Sequence, residues 1–129
     1  MHAVAPTDVL VVEDDPDLNE MIGAYVQLAG YTYRSALDGD AAVRALRERA
    51  PALVLLDLML PGIDGFEVCR QMRADEATRD VPVVILSAVN EPDARRRAQE
   101  LDVRAFITKP FDPDALMDAL RRYAPVGGA

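Results

Sequence analysis

Apolar residues gather in five short runs: Val9–Val12, Tyr31–Ala36, Leu53–Leu56, Val83–Leu86 and Ala105–Thr108. Four of them are near-continuous rather than alternating, the pattern of strands covered on both faces, as in a parallel sheet. The segments between and after the runs space their apolar residues as helices do. Leu18, Met21, Ile22, Tyr25 and Val26 lead to Gly30, and Ala41, Val43, Ala45 and Leu46 end before Pro51. Phe66, Val68, Cys69 and Met72 form a third set; Pro92 to Leu101 and Pro113 to Tyr123 form the fourth and fifth. Pro16, Pro92 and Pro113 stand where a first helical turn accepts proline, and Asp15 and Asp112 suit the N-cap positions before two of them. Strand and helix therefore alternate five times. This predicts a doubly wound α/β fold: a five-stranded parallel sheet with helices on both faces and right-handed crossovers. Residues 1–7 and 124–129 fall outside the pattern. Both are expected to be flexible tails, the second being small, Pro- and Gly-containing and suited to begin a linker.

In an open parallel sheet the C-terminal strand ends share one edge, and ligands bind there. The residues that follow the runs are Glu13-Asp14-Asp15, Asp57, Ser87 and Lys109-Pro110. With strand order 2-1-3-4-5 the first and third strands are neighbours, so Asp14 and Asp57 face each other, with Ser87 and Lys109 further along. Clustered carboxylates repel unless a cation or a proton intervenes. Mg2+ takes one or two carboxylates together with phosphate oxygens, Lys109 offers a compact positive charge to a phosphoryl oxygen, and Ser87 offers a hydroxyl. Aspartate is a nucleophile for such a group. Taken singly, the acids have plainer readings: Glu13-Asp14-Asp15 as a charge cluster at a helix N-terminus, and Asp57 as a cap.

Composition narrows the choices further. The chain has 129 residues, enough for one domain with a real core. Its 22 acidic and 14 basic residues leave a net charge of −8, which opposes direct nucleic-acid or membrane-surface binding. One cysteine, Cys69, excludes an internal disulfide, and with a single histidine, His2 in the N-terminal tail, it excludes a zinc cluster. Cys69 reads as a buried apolar residue with no histidine to activate it. No run reaches the length of a membrane span, the N-terminus lacks the pattern of a secretory signal, and the expected location is cytoplasmic.

Four stretches in register, VLVVEDDPDL, LLDLMLPGIDGFEV, VPVVILSA and FITKPF, resemble the receiver domain of two-component response regulators, over about Asp8 to Tyr123. That resemblance implies a flavodoxin-like (βα)5 fold. It implies Asp57 as phospho-acceptor, and Asp14, Asp57 and the backbone carbonyl of Met59 as Mg2+ ligands, with Glu13 acting through water. Lys109 would contact the phosphoryl group. Ser87 would be the switch hydroxyl and Phe106 the aromatic that answers it, and the Lys109-Pro110 bond would be cis. The implied partners are a sensor histidine kinase or histidine phosphotransfer protein, and an output protein or domain met through the face of the fourth helix, fifth strand and fifth helix. Such a domain catalyses only its own phosphorylation and dephosphorylation.

The chain departs from the family pattern in places. Asp102 stands where many receivers have glycine. Arg104 and Ala105 replace the acids that many winged-helix regulators carry before the aromatic, and the DEATRDVPV stretch is similar to single-domain regulators or to receivers attached to kinases or cyclases. Arg95-Arg96-Arg97 is expected to be a solvated helix face. Met59 and Val89, two residues past Asp57 and Ser87, are apolar and expected to screen the phosphoryl group from water. A haloacid-dehalogenase-type phosphohydrolase would need a second aspartate where Met59 stands. The remaining alternative is a receiver module that binds proteins without phosphorylation.

Overall fold

The computed structural model describes residues 8–88 and 91–124; residues 1–7 with His2, Val89, and residues 125–129 of the second tail lie outside the described residues, whereas Ala124, the first residue of that tail, is buried. The elements follow in the order β1 (Asp8–Val12), α1 (Pro16–Leu28), β2 (Thr32–Ala36), α2 (Gly39–Glu48), β3 (Leu53–Leu56), α3 (Gly65–Ala74), β4 (Val83–Ser87), α4 (Pro92–Glu100), β5 (Ala105–Thr108) and α5 (Pro113–Tyr123). The strands are all parallel and form one sheet in the order β2-β1-β3-β4-β5.

Side-chain alternation along the strands divides the core in two. Val9, Val11, Leu53, Leu55, Val84 and Leu86 face α1 and α5, where Ile22, Val26, Leu116 and Leu120 cover them. Their neighbours Leu10, Val12, Val54, Leu56, Val83 and Ile85 face α2, α3 and α4. Continuous apolar runs are what a sheet covered on both faces requires, and β1, β3 and β4 are buried throughout. The run at β5 is equally continuous, yet all four of its residues are only half-buried. It is an edge strand with one neighbour, so the helices cover it incompletely.

Local chemistry sets the helix ends. Asp15 caps α1 by accepting from the amides of Asp17 at 3.0 Å and Leu18 at 3.4 Å. Asp64 accepts from Glu67 and Asp112 from Asp114, each at 2.9 Å. Each such cap satisfies an amide that the helix itself cannot. Gly65 opens α3 against the end of β3, where a β-carbon would stand 2.4 Å from the Asp57 carbonyl oxygen. Only glycine lets the helix start that close to the strand.

Candidate phosphoryl and cation site

Three backbone hydrogen bonds carry the sheet ladder one residue past the strands. The Glu13 amide donates to the Ala36 carbonyl at 3.1 Å, Asp57 to Val12 at 3.0 Å and Lys109 to Ser87 at 2.9 Å. Glu13, Asp57 and Lys109 are thus fixed by their neighbours in the sheet rather than hanging from loops. Asp57 is 5% exposed and Glu13 2%. One carboxylate oxygen from each of Glu13, Asp14 and Asp57 lies within 4.8 Å of the other two.

Both Asp57 oxygens are engaged. Oδ1 accepts from the Ser87 hydroxyl at 2.9 Å and from the Met59 amide at 3.0 Å, and Oδ2 accepts from Lys109 Nζ at 2.9 Å. Lys109 also pairs with Glu13 Oε1, and the Asp15 amide donates to Glu13 Oε2 at 3.0 Å. A carboxylate has about four acceptor sites, so Asp57 retains room for another ligand. Burial, foremost, holds the Glu13 carboxyl above its ordinary range, against the Asp15 amide and Lys109, which favour the charged form. Burial alone would lower the Lys109 ammonium; the carboxylates of Glu13 and Asp57 outweigh it and hold the group above its usual value.

Three carboxylates and one ammonium, counted as ionised, leave two uncompensated negative charges (−3 + 1 = −2). All the donor atoms are hard oxygens, and exposed Asp14 keeps the cluster open to solvent. The set therefore fits a small divalent cation that retains some of its water, as Mg2+ does.

The structure brings Glu13, Asp14, Asp57, Ser87 and Lys109 into one cluster. It takes Asp15 out of it, since its carboxylate is spent on the α1 cap. Met59, 63% exposed, lies beside Asp57. The Lys109-Pro110 bond is cis. Phe106 is half-buried on β5, opposite Ile85 of β4 in the ladder. The arginines of α4 are exposed, as expected of a solvated face, and two of them also lie over aromatic rings. Arg95 lies 4.6 Å over the Phe106 ring and Arg97 3.9 Å over the Phe66 ring, while Arg96 pairs with Asp93. Guanidinium groups on exposed helices bend back onto ring faces they can reach. Cys69 is 1% exposed, and burial pushes its thiol pKa up, so it is inert.

Asn19 was not singled out as a site residue, yet its side chain binds the Glu13 carbonyl from inside α1. The available signal was periodicity: Asn19, Ile22, Gly23 and Val26 form the buried stripe of the helix, and a polar residue on such a stripe has a partner below it.

A (βα)5 sheet whose strand ends gather three acids, a hydroxyl and a lysine defines a receiver-type domain. The chain belongs to the response regulator receiver domain family, whose model matches residues 9–121. It is 38% identical to the phosphate regulon transcriptional regulatory protein PhoB of Escherichia coli K12 over 122 residues, covering 92% of this chain and 53% of that protein. It is 41% identical to the DNA-binding response regulator MtrA of Mycolicibacterium smegmatis, covering 88% and 48%. The chain thus spans about half the length of these relatives. Among solved structures, the chemotaxis protein CheY4 of Vibrio cholerae superposes with a TM-score of 0.85 at 25% identity, over 92% of this chain and 99% of that one. The receiver domain of a sensor histidine kinase from Pseudomonas aeruginosa, with a magnesium ion coordinated in its active-site cleft, superposes at 0.82 with 31% identity, over 92% and 98%. Among the described residues no helix is long and apolar enough to cross a membrane.

Proposed function

We propose that this domain is a phosphorylation-activated switch that takes a phosphoryl group from a phosphohistidine onto Asp57. The observation that carries this reading is the setting of Asp57. It is a nearly buried carboxylate at a strand end, with Ser87 and Lys109 on its two oxygens and Glu13 and Asp14 beside it. An Asp57 oxygen bonds to phosphorus as the P–N bond to the histidine breaks, and that electron pair stays on the imidazole nitrogen. Lys109 is placed to follow the negative charge from the carboxylate to a phosphoryl oxygen. Ser87 would leave Oδ1 for another. Asp14, Asp57 and the Met59 carbonyl would hold Mg2+, with Glu13 acting through water. The ion, when bound, supplies charge neutralisation between the carboxylates and the phosphoryl oxygens.

The departure of Ser87 from Asp57 is the event that a partner can read. Ser87 lies opposite Thr108 in the β4–β5 ladder, two residues along from Phe106, so its movement reaches the α4-β5-α5 face. The donor is a sensor histidine kinase or histidine phosphotransfer protein, the reader an output protein or domain, and the setting the cytoplasm. The chain's net negative charge argues against direct nucleic-acid contact by this domain.

The test is labelling with a small phosphodonor and Mg2+, read by intact mass. One phosphoryl group is expected on the wild type and none on Asp57→Asn, whose amide cannot serve as the nucleophile. Undiminished labelling of that variant overturns the assignment.

A further inference from the structure

Asn19 lies on the fourth residue of α1, past the cap already supplied by Asp15, and is 2% exposed. Its Nδ2 donates to the carbonyls of Val11 at 3.2 Å, Glu13 at 3.1 Å and Ala36 at 3.3 Å. Its Oδ1 accepts from the Ser35 hydroxyl at 2.6 Å. The direction of the amide follows from chemistry: turned over, its oxygen would face three carbonyl oxygens, and its nitrogen would leave the acceptors empty. With the amide so directed, the Ser35 hydroxyl, which can either donate or accept, donates to its oxygen.

These bonds do not serve the helix. All three carbonyls belong to the ends of β1 and β2 and the residue after β1, and the Glu13 carbonyl is one atom away from the Asp14 nitrogen. The Glu13 amide itself donates to Ala36. Glu13 is therefore held at both its backbone N–H and its C=O, and the second hold is Asn19. The turn that carries the Glu13 and Asp14 carboxylates toward Asp57 starts from this fixed peptide.

We propose that Asn19, oriented by Ser35, is a positioning residue for the cation site: it sets the backbone path from which Glu13 and Asp14 converge on Asp57. The inference rests on reading Glu13, Asp14 and Asp57 as that site. Asn19 and Ser35 themselves touch neither cation nor phosphoryl group.

The test uses the whole chain and MgCl2 alone, followed by backbone amide shifts, with hydrogen exchange measured on the metal-free protein. Asn19→Leu keeps the branched outline of the side chain, is somewhat bulkier, and removes every polar contact. Mg2+ affinity is expected to fall about 10-fold, as when outer-shell supports of a metal site are removed. Exchange at Glu13, Asp14 and Asp15 should quicken while β4 stays protected. Ser35→Ala should weaken Mg2+ binding less, and Ser35→Thr, which keeps the hydroxyl, should restore it. A folded Asn19→Leu protein with wild-type Mg2+ affinity overturns the proposal, even if it melts earlier. Should Asn19→Leu fail to fold, Ser35→Ala decides, because Ser35 is exposed on the edge strand; unchanged affinity there overturns it equally. If the wild type shows no Mg2+-dependent shifts at Glu13, Asp14 and Asp57, the cation reading itself falls and this inference with it.

Discussion

The β1–β3 part of the sheet edge is more completely covered than β5. Val9–Val12 and Leu53–Leu56 are fully covered, each strand has a neighbour on both sides, and the acids at their ends are pinned by Lys109, Asn19 and the ladder. At β5 every residue is half-buried, and the Phe106 ring is faced by the Arg95 guanidinium, which also reaches Thr108 Oγ1 at 3.5 Å. A group-transfer site gains from fixed geometry. A surface that reports the transfer needs two arrangements close in free energy. On the proposed switch reading, weak cover at β5 is what would allow a second arrangement, and Ser87, 0% exposed on β4, touches Asp57 from the strand that β5 pairs with.

The largest effect should separate the two regions by stability. Leu55→Ala, in the wall shared by α1 and α5, is expected to cost about 3 kcal/mol, because the cavity cannot collapse between two neighbouring strands. Phe106→Ala should cost less, about 1–1.5 kcal/mol, since part of the residue already meets solvent. Denaturant midpoints check both. Equal losses would mean that β5 is core after all and that the contrast with β3 is false.

Ser87→Ala sharpens the comparison by severing the link between the regions. Loss of the buried hydrogen bond to Asp57 should cost about 1 kcal/mol, since Asp57 Oδ1 keeps the Met59 amide. Phosphoryl uptake should persist at a lower rate, while the amide shifts that phosphorylation induces in Phe106, Ile107 and Thr108 should largely disappear. Full shifts in the variant would place the coupling elsewhere.

The contrast between the two regions also marks where sequence reasoning reached its limit. The runs Leu53–Leu56 and Ala105–Thr108 matched their strands end to end, because a buried parallel strand needs consecutive apolar residues. Their difference in burial was not visible in composition; it follows from the strand order 2-1-3-4-5, which makes one central and the other an edge. The convergence of Asp14, Asp57, Ser87 and Lys109 could be read because parallel strands deliver their ends to one place. Asn19 could not be read in the same way: its acceptors are carbonyls at positions 11, 13 and 36, and backbone atoms leave no trace in residue identity. The stacking of Arg95 and Arg97 was missed for a related reason. Their rings lie on β5 and α3, and only the packed fold sets α4 against them.

The smallest expected effect concerns two helix ends built alike from different residues. At the end of α1, the Gly30 amide donates to Gln27 at 3.0 Å and the Tyr31 amide to Val26 at 3.2 Å, with Gly30 at φ 95°. At the end of α4, the Asp102 amide donates to Gln99 at 3.0 Å and the Val103 amide to Ala98 at 3.2 Å, with Asp102 at φ 58°. Both are the Schellman arrangement, which asks for a left-handed residue just past the helix. Glycine adopts that conformation without steric cost, and a side chain does not. Asp102→Gly should therefore stabilise the fold by about 0.5–1 kcal/mol. The Arg73 contact at this turn, Nη2 to the Asp102 carbonyl at 3.4 Å, is to backbone and survives the change. Gly30→Asp should lose a similar amount, and for the same reason alone, because a β-carbon at Gly30 meets nothing within 4 Å. Opposite shifts in melting temperature of about 2–4 °C would be the signature of backbone conformation. A loss of stability in Asp102→Gly, with Gly30→Asp behaving as expected, would show that the Asp102 carboxylate contributes more to the α4–β5 turn than its left-handed backbone costs.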